Sequence, residues 1–469
     1  MRRRSRRSRA LAAAVAVALG IGLLSGCAAG GESAPDNRIT VWSLENLTPR
    51  MEVTKKIVAA FEKESGVQVD LVGVDEGQLP QLIMSAAAAG TLPDVLGGVP
   101  LASVWQMYTN GLLDTAAAGR IVEGLGTGTF NRNALTLTGD GDGGATRLSV
   151  PSDAWMQILV YRKDLFAKAG LPAPDSYDTM LRAAKTLNAG EVSGMSLATD
   201  PSDVFTQQSF EDLALANGCG LVGPGGDVGL DSPQCRQAFA TYHQLAADYG
   251  APGTQSVDST RATYFAGRSA MIVWSTFLLD ELAGLRADAL PSCAQCAQDP
   301  DFLSDNSGIV TALKGPGAAE PAQFGEIASW AVTRTAETAA SEKFVTYMMG
   351  TGYEGWFGMA PEGKIPVRDG TAEDPDRYLE AWRASDVGVD TKKPMKSVFS
   401  AEFLDRLASG VSDMRRWGLT EGQGALVGAT LGELPIPKAV GAMTSGQISP
   451  EEAAREADEE VTALQKSLQ

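Results

Sequence analysis

An α/β chain organised in two lobes is the fold that this sequence predicts. Three observations carry that reading. Strand and helix signals alternate from residue 39 onward, as in βαβ units built around a parallel sheet. The 469 residues, less an N-terminal leader, leave about 440, more than one domain of ordinary size holds. Beyond that leader, no apolar run approaches the roughly 20 residues that a membrane-spanning helix needs.

The leader comes first in the chain. Arg2, Arg3, Arg4, Arg6, Arg7 and Arg9 precede an apolar run over 10–24, and Leu24-Ser25-Gly26-Cys27 closes it. A cationic start, a short apolar stretch and small residues describe an export signal over 1–26. Leu-Ser-Gly-Cys resembles the lipobox of bacterial lipoproteins, in which cleavage leaves Cys27 as a new N-terminus carrying lipid, palmitate included. An ordinary signal peptide with a chance cysteine is the competing reading. Arg6-Arg7 leaves a twin-arginine export route open beside the general one. Residues 27–37 then read as a lipidated, flexible polar tether.

The elements follow in order. Ile39-Thr40-Val41-Trp42 makes a short strand, ended by the polar residues 43–49. Val53, Ile57 and Phe61 recur on one face and set a helix over about 50–65, stopped by Gly66. Residues 67–74 alternate as a second strand. A helix over 78–89 closes at Gly90, 93–96 gives a third strand, and 101–110 a third helix. Residues 139–144, with alternating Gly and Asp, read as an exposed turn. They lack the later ligands of a calcium loop, so no metal is expected there.

Charge and cysteines narrow the function. The formal net charge of −18 becomes more negative by six once the leader's arginines are gone. That argues against nucleic acid, whose recognition needs a cationic footprint. Cys219, Cys235, Cys293 and Cys296 remain, and an even number in an exported chain favours disulfides. Pairing neighbours, Cys219 with Cys235 and Cys293 with Cys296, is the simplest of three connectivities. A zinc site at Cys293-Ala294-Gln295-Cys296 would want further ligands, and the chain's single histidine is His243.

Ordered blocks then bring a family into view. Ile39-Thr40-Val41-Trp42, Ala60-Phe61-Glu62 with Gly66-Val67, and Ala87 through Val95 resemble the start of family 1 extracellular solute-binding proteins. These are carbohydrate receptors related to maltose-binding protein. The resemblance continues at Val150-Pro151, at Val160-Tyr161-Arg162-Lys163-Asp164-Leu165-Phe166, and at Phe265-Ala266-Gly267-Arg268-Ser269-Ala270-Met271. It runs on through Ser329-Trp330-Ala331-Val332, Gly363-Lys364-Ile365-Pro366 and Ser445 to Ala453.

The resemblance implies a two-lobed periplasmic-binding-protein-like fold with discontinuous domains and a hinged interlobe cleft. Lobe 1 takes 38–150 plus 310–360, and lobe 2 takes 151–309 plus 361–469. The crossings fall near 151–157, 308–313 and 363–367. It further implies a monomer that captures a mono- or oligosaccharide, delivers it to the permease of an ABC transporter, and touches the membrane through its lipid anchor alone. No cofactor is implied.

A sugar presents hydroxyls that donate and accept, and C–H faces that stack on rings. Its site therefore needs aromatic platforms edged by polar groups, carried on loops at the carboxyl ends of strands. Trp42 ends the first strand and precedes Glu45 and Asn46, and Gly98 allows close backbone approach. Asp153 and Trp155 sit at the first crossing. Trp274 and Ser275 follow the apolar strand 270–273, in what the resemblance makes a cleft loop, and Ser329 and Trp330 occupy another ligand-facing segment. For each tryptophan, burial in a lobe core or hinge is the competing reading. Lys364 and Arg368 flank the last crossing, while Trp105, Trp356 and Trp382 read as packing. Arg415, Arg416 and Trp417 read equally as a cation–aromatic corner or an exposed helix face.

Two rival functions stay open: an exported carbohydrate-active enzyme, and a receptor for a non-sugar solute such as a polyol phosphate or polyamine. The chain has no H-E-x-x-H or G-x-S-x-G motif, and one histidine makes a Ser/His/Asp triad a poor fit. A binding protein is the expectation.

Overall fold

The computed structural model describes residues 37–141 and 146–468. The leader, Cys27, all of the tether but its last residue, and 142–145 of the glycine-rich turn lie outside the described residues.

The first βαβ units form near the expected bounds: β1 (Arg38–Ser43), α1 (Thr48–Ser65), β2 (Gln68–Gly73), α2 (Leu79–Ala89), β3 (Val95–Pro100) and α3 (Leu101–Thr109). β2 and β3 flank β1, both parallel to it. Alternation puts Ile39 and Val41 inside, where Ile57, Val58 and Phe61 of α1 are also buried. Gly66 ends α1 in the left-handed conformation at φ 72° and donates its N–H to the Glu62 carbonyl, a stop that costs a side-chain-bearing residue more.

The strand that organises the molecule is β4 (Val150–Arg162). Its first half pairs antiparallel with β7 (Gly325–Val332) and β8 (Ile365–Pro366). Its second half pairs with β5 (Met271–Ser275) and β6 (Ser307–Val310). The change of partner falls between Met156 and Gln157. β7 joins β3 on its other edge, giving the order β2-β1-β3-β7-β4-β5. One lobe gathers on β1, β2, β3 and β7, the other on β5 and β6. β4 belongs to both.

The second lobe is covered by helices Tyr177–Leu187, Val204–Ala216 and Pro233–His243. The chain closes with Pro450–Ser467, opened by a reciprocal capping box between Ser449 and Glu452. Helix Gly424–Glu433 lies on α3, and a Cβ at Gly424 would meet the Trp105 ring at 2.0 Å. Trp105 thus packs, as read. Cys219–Cys235 and Cys293–Cys296 both form disulfides. No helix of the described residues is long and apolar enough to cross a membrane.

Candidate binding cleft

A cavity of about 290 Å³ opens where the strand ends meet. Glu45 comes from the loop after β1, Arg50 from the first turn of α1, and Glu76 from the turn after β2. β3 supplies Gly98 and Pro100, β7 supplies Glu326 and Ala328, and Gly363 and Lys364 lead into β8. Trp274 and Ser275 end β5, with Phe277, Glu281 and Arg286 just beyond, and Arg261 completes the wall. Asp153 and Trp155 stand two residues apart on β4 and so face the same side.

Six of the ten residues singled out from sequence line this cavity: Glu45, Gly98, Asp153, Trp155, Trp274 and Ser275. Trp42, Asn46, Ser329 and Trp330 do not. Trp330 is fully buried, its ring 4.7 Å from Trp356 and 5.7 Å from Phe344. It fills the space left by Gly97 across the strand pair, where a Cβ would approach the indole to 2.2 Å. Gly97 therefore serves packing, while Gly98, at φ 78°, turns to the cavity. Ser329 is buried beside it, Trp42 is half-buried against the core, and Asn46 is exposed.

The floor is an ion-pair network. Lys364 Nζ lies 2.6 Å from Glu45 Oε1 and 3.0 Å from Asp153 Oδ1, all three nearly withdrawn from water. Arg50 donates to the other oxygen of Glu45 at 3.0 Å. Trp356 Nε1 donates to Asp153 Oδ2 at 2.8 Å, as does Ser152 Oγ at 2.6 Å. Burial alone would raise the Glu45 carboxyl, but Lys364 and Arg50 outweigh it and hold it below the usual range. Burial likewise works against the Lys364 ammonium, and Asp153 and Glu45 overcome it, so its pKa stands above that of an ordinary lysine.

Behind the floor, Arg416 is buried between Glu211, at 3.2 Å, and Glu326, with its guanidinium 4.6 Å over the Phe324 ring. The exposed helix face read for Arg416 and Trp417 is not what forms, since both are buried and outside any helix, and the cation–aromatic contact of Arg416 is with Phe324. Glu326 also accepts from the Leu101 N–H at 2.9 Å. Phe324 in turn lies 5.8 Å from Trp155. In the facing lobe, Glu281 accepts from Arg261 at 2.9 Å and Arg286 at 3.0 Å. Trp274 is 6 % exposed and donates to the Val257 carbonyl.

Sequence reasoning did not single out Arg50, Glu76, Arg261, Glu281, Arg286 or Glu326 for the cleft. The ion pairs of Arg50 with Glu45 and of Arg286 with Glu281 span only five residues and are local, but which wall of a cavity such a pair faces is set by the packing of distant segments. Lys364 was legible as a residue flanking a crossing, but not as the cation that joins two carboxylates.

Two α/β lobes sharing a strand, with a polar and aromatic cavity at their junction, define the class of solute-binding receptors. Residues 56–383 match the family model described as bacterial extracellular solute-binding protein, and the chain belongs to that family. It is similar to the putative ABC transporter periplasmic-binding protein YcjN of Escherichia coli K12, with 30% identity over 373 residues that cover 78% of this chain and 79% of that protein. It is an ABC transporter solute-binding protein. Among solved structures it resembles the GacH receptor of Streptomyces glaucescens, determined without ligand and with acarbose, at a TM-score of 0.68 and 19% identity over 92% of this chain and 98% of that one. Maltose-bound MalE3 of T. maritima superposes at 0.67, with 18% identity over 91% and 99% of the two chains. A ribitol-bound solute-binding protein of Agrobacterium radiobacter K84 also gives 0.67, with 17% identity over 91% and 98%.

Proposed function

We propose that this protein captures a sugar in the interlobe cleft and hands it to the permease of an ABC importer, as a monomer held outside the membrane by lipid on Cys27. The observation that carries this reading is the convergence of the half-buried Trp155 indole with Asp153, Glu45 and Ser275 on one cavity. An indole gives a sugar's C–H face a platform, and the carboxylates and hydroxyl meet its edge. Relatives of this fold solved with maltose, acarbose and ribitol lend support.

Lobes divided near the partner change on β4 close by rotating about β4 and the two other crossings, which desolvates the ligand's hydrogen bonds. Glu45 and Asp153 do not suit the role of a glycosidase's catalytic pair. Glu45 and Asp153 are neutralised by Lys364, whereas a glycosidase needs an acid and a base or nucleophile poised at the scissile bond.

The test is a thermal-shift screen of residues 28–469 against monosaccharides, disaccharides and polyols. A ligand at 100 times its Kd adds about 2.7 kcal/mol of stability. Stabilisation by a sugar recovered intact supports the reading; shortened oligosaccharides would make the protein an enzyme. Palmitate labelling that disappears in Cys27→Ser tests the anchor.

A further inference from the structure

Each cation lining the cleft is committed to the protein's own carboxylates. Arg50 pairs with Glu45 at 3.0 Å, and Lys364 with Glu45 and Asp153. Arg261 pairs with Glu281 and Asp258, both at 2.9 Å. Arg286 pairs with Glu281 at 3.0 Å and Asp288 at 2.7 Å. Two carboxyls are not fully matched, one on each wall. Glu76 lines the first-lobe wall and makes no ion pair or side-chain hydrogen bond among the described residues; its charged neighbours are the carboxylates Glu326, Glu45 and Asp75 and, with a smaller effect, the Lys364 ammonium. Glu281 lines the opposite wall with 1 % of its side chain exposed, and its Oε2 is buried without a hydrogen-bond partner. Arg50 Nε is the buried donor left over, on a charge that Glu45 already balances.

We infer that the cleft is a charge filter, which admits neutral and amine-bearing saccharides and rejects acidic ones such as uronates and sugar phosphates, with Glu76 and Glu281 as the specificity-determining residues. The inference rests on the sugar reading above. A hydroxyl or ammonium donates to the exposed Glu76 carboxylate, and to Glu281 Oε2 once the ligand reaches that buried oxygen at the cavity wall. A carboxylate or phosphate brings acceptors to acceptors, meets no uncommitted cation, and leaves Glu281 Oε2 buried and unpaired. Discrimination of this kind comes from the penalty on the wrong ligand. Amines are best placed at Glu76, where carboxylates crowd, and hydroxyls at Glu281, between two arginines.

The experiment is calorimetric titration of residues 28–469 at pH 8, where Glu76 and Glu281, each raised to about 7 chiefly by desolvation, are ionised, with two matched series: glucose, glucosamine and glucuronate, then galactose, galactosamine and galacturonate. In the series that binds, the amine should bind at least as tightly as the neutral sugar, and the acid about tenfold more weakly or worse, since like-charge juxtaposition is penalised strongly. Glu76→Gln, at an exposed position, should keep the fold and narrow the gap between neutral sugar and acid about threefold or more. An acid that binds as tightly as its neutral counterpart, or a gap unchanged in Glu76→Gln, overturns the filter while leaving the sugar reading in place. Binding by no member of either series counts against both.

Discussion

Lys364 and Asp153, 211 positions apart in the chain, meet at 3.0 Å in the floor of the cleft, so that β4 and the segment leading into β8 are joined by a buried charge pair. The same ammonium lies 4.4 Å over the Trp356 ring and 2.6 Å from Glu45. Lys364→Met would leave two carboxylates buried without their shared counter-charge. We expect a loss of about 3–5 kcal/mol in urea unfolding. Adding Asp153→Asn and Glu45→Gln should return most of it. A Lys364→Met protein as stable as the parent would remove the pair from the fold's energetics.

Trp155 and Trp274 both line the cavity but differ in what else they support. Trp274 is 6 % exposed, packs 5.7 Å from Phe205 and donates to Val257, so Trp274→Ala should cost about 3–5 kcal/mol of stability. Trp155 is half-buried, and its truncation should cost clearly less. Denaturant midpoints of the two apo variants give the ordering directly.

Glu362 is 1 % exposed and its Oε2 has no hydrogen-bond partner. Burial first, and repulsion from Asp280 second, push its pKa up to about 8 from 4.5. Between those two values the folded state holds the proton that the unfolded chain has released. The stabilisation is therefore complete below about pH 4.5 and is lost as pH rises through about 8. Glu281 and Asp212, each pushed up to about 7 chiefly by burial, act in the same direction. Unfolding free energy measured from pH 5 to 8 should fall, and fall less steeply in Glu362→Gln. Identical slopes would contradict this.

Gly363 leaves space for the Phe277 ring, which a Cβ would meet at 2.1 Å; that ring lies 5.1 Å from the Arg50 guanidinium. Gly363→Ala must displace Phe277, at about 1–3 kcal/mol, and should weaken ligand binding by disturbing the Arg50 contact. Calorimetry and urea unfolding on the one variant check both effects.

What the sequence revealed depended on range. β1, β2, β3 and their helices were readable because period-2 and period-3.6 patterns are local, and Gly66 and Gly90 mark their stops. Asp153 and Trp155 were singled out for their place at an expected crossing, and both line the cavity. Trp330 was not resolved from Trp155, since alternation tells which residues share a face but not which face another layer covers. The Arg416 network was out of reach for a related reason: Glu211 and Glu326 lie 205 and 90 positions away, and a single sequence holds no sign of such pairing.

Trp155, between the lobes, is the platform on which the proposed sugar binds. The most direct test of that role is calorimetric titration of the parent protein and Trp155→Ala with the sugar that gives the largest thermal shift. The expected result is saturable one-to-one binding to the parent and about tenfold weaker binding to Trp155→Ala, in line with the stacking and apolar burial an indole provides. Equal affinity in the two proteins would contradict it.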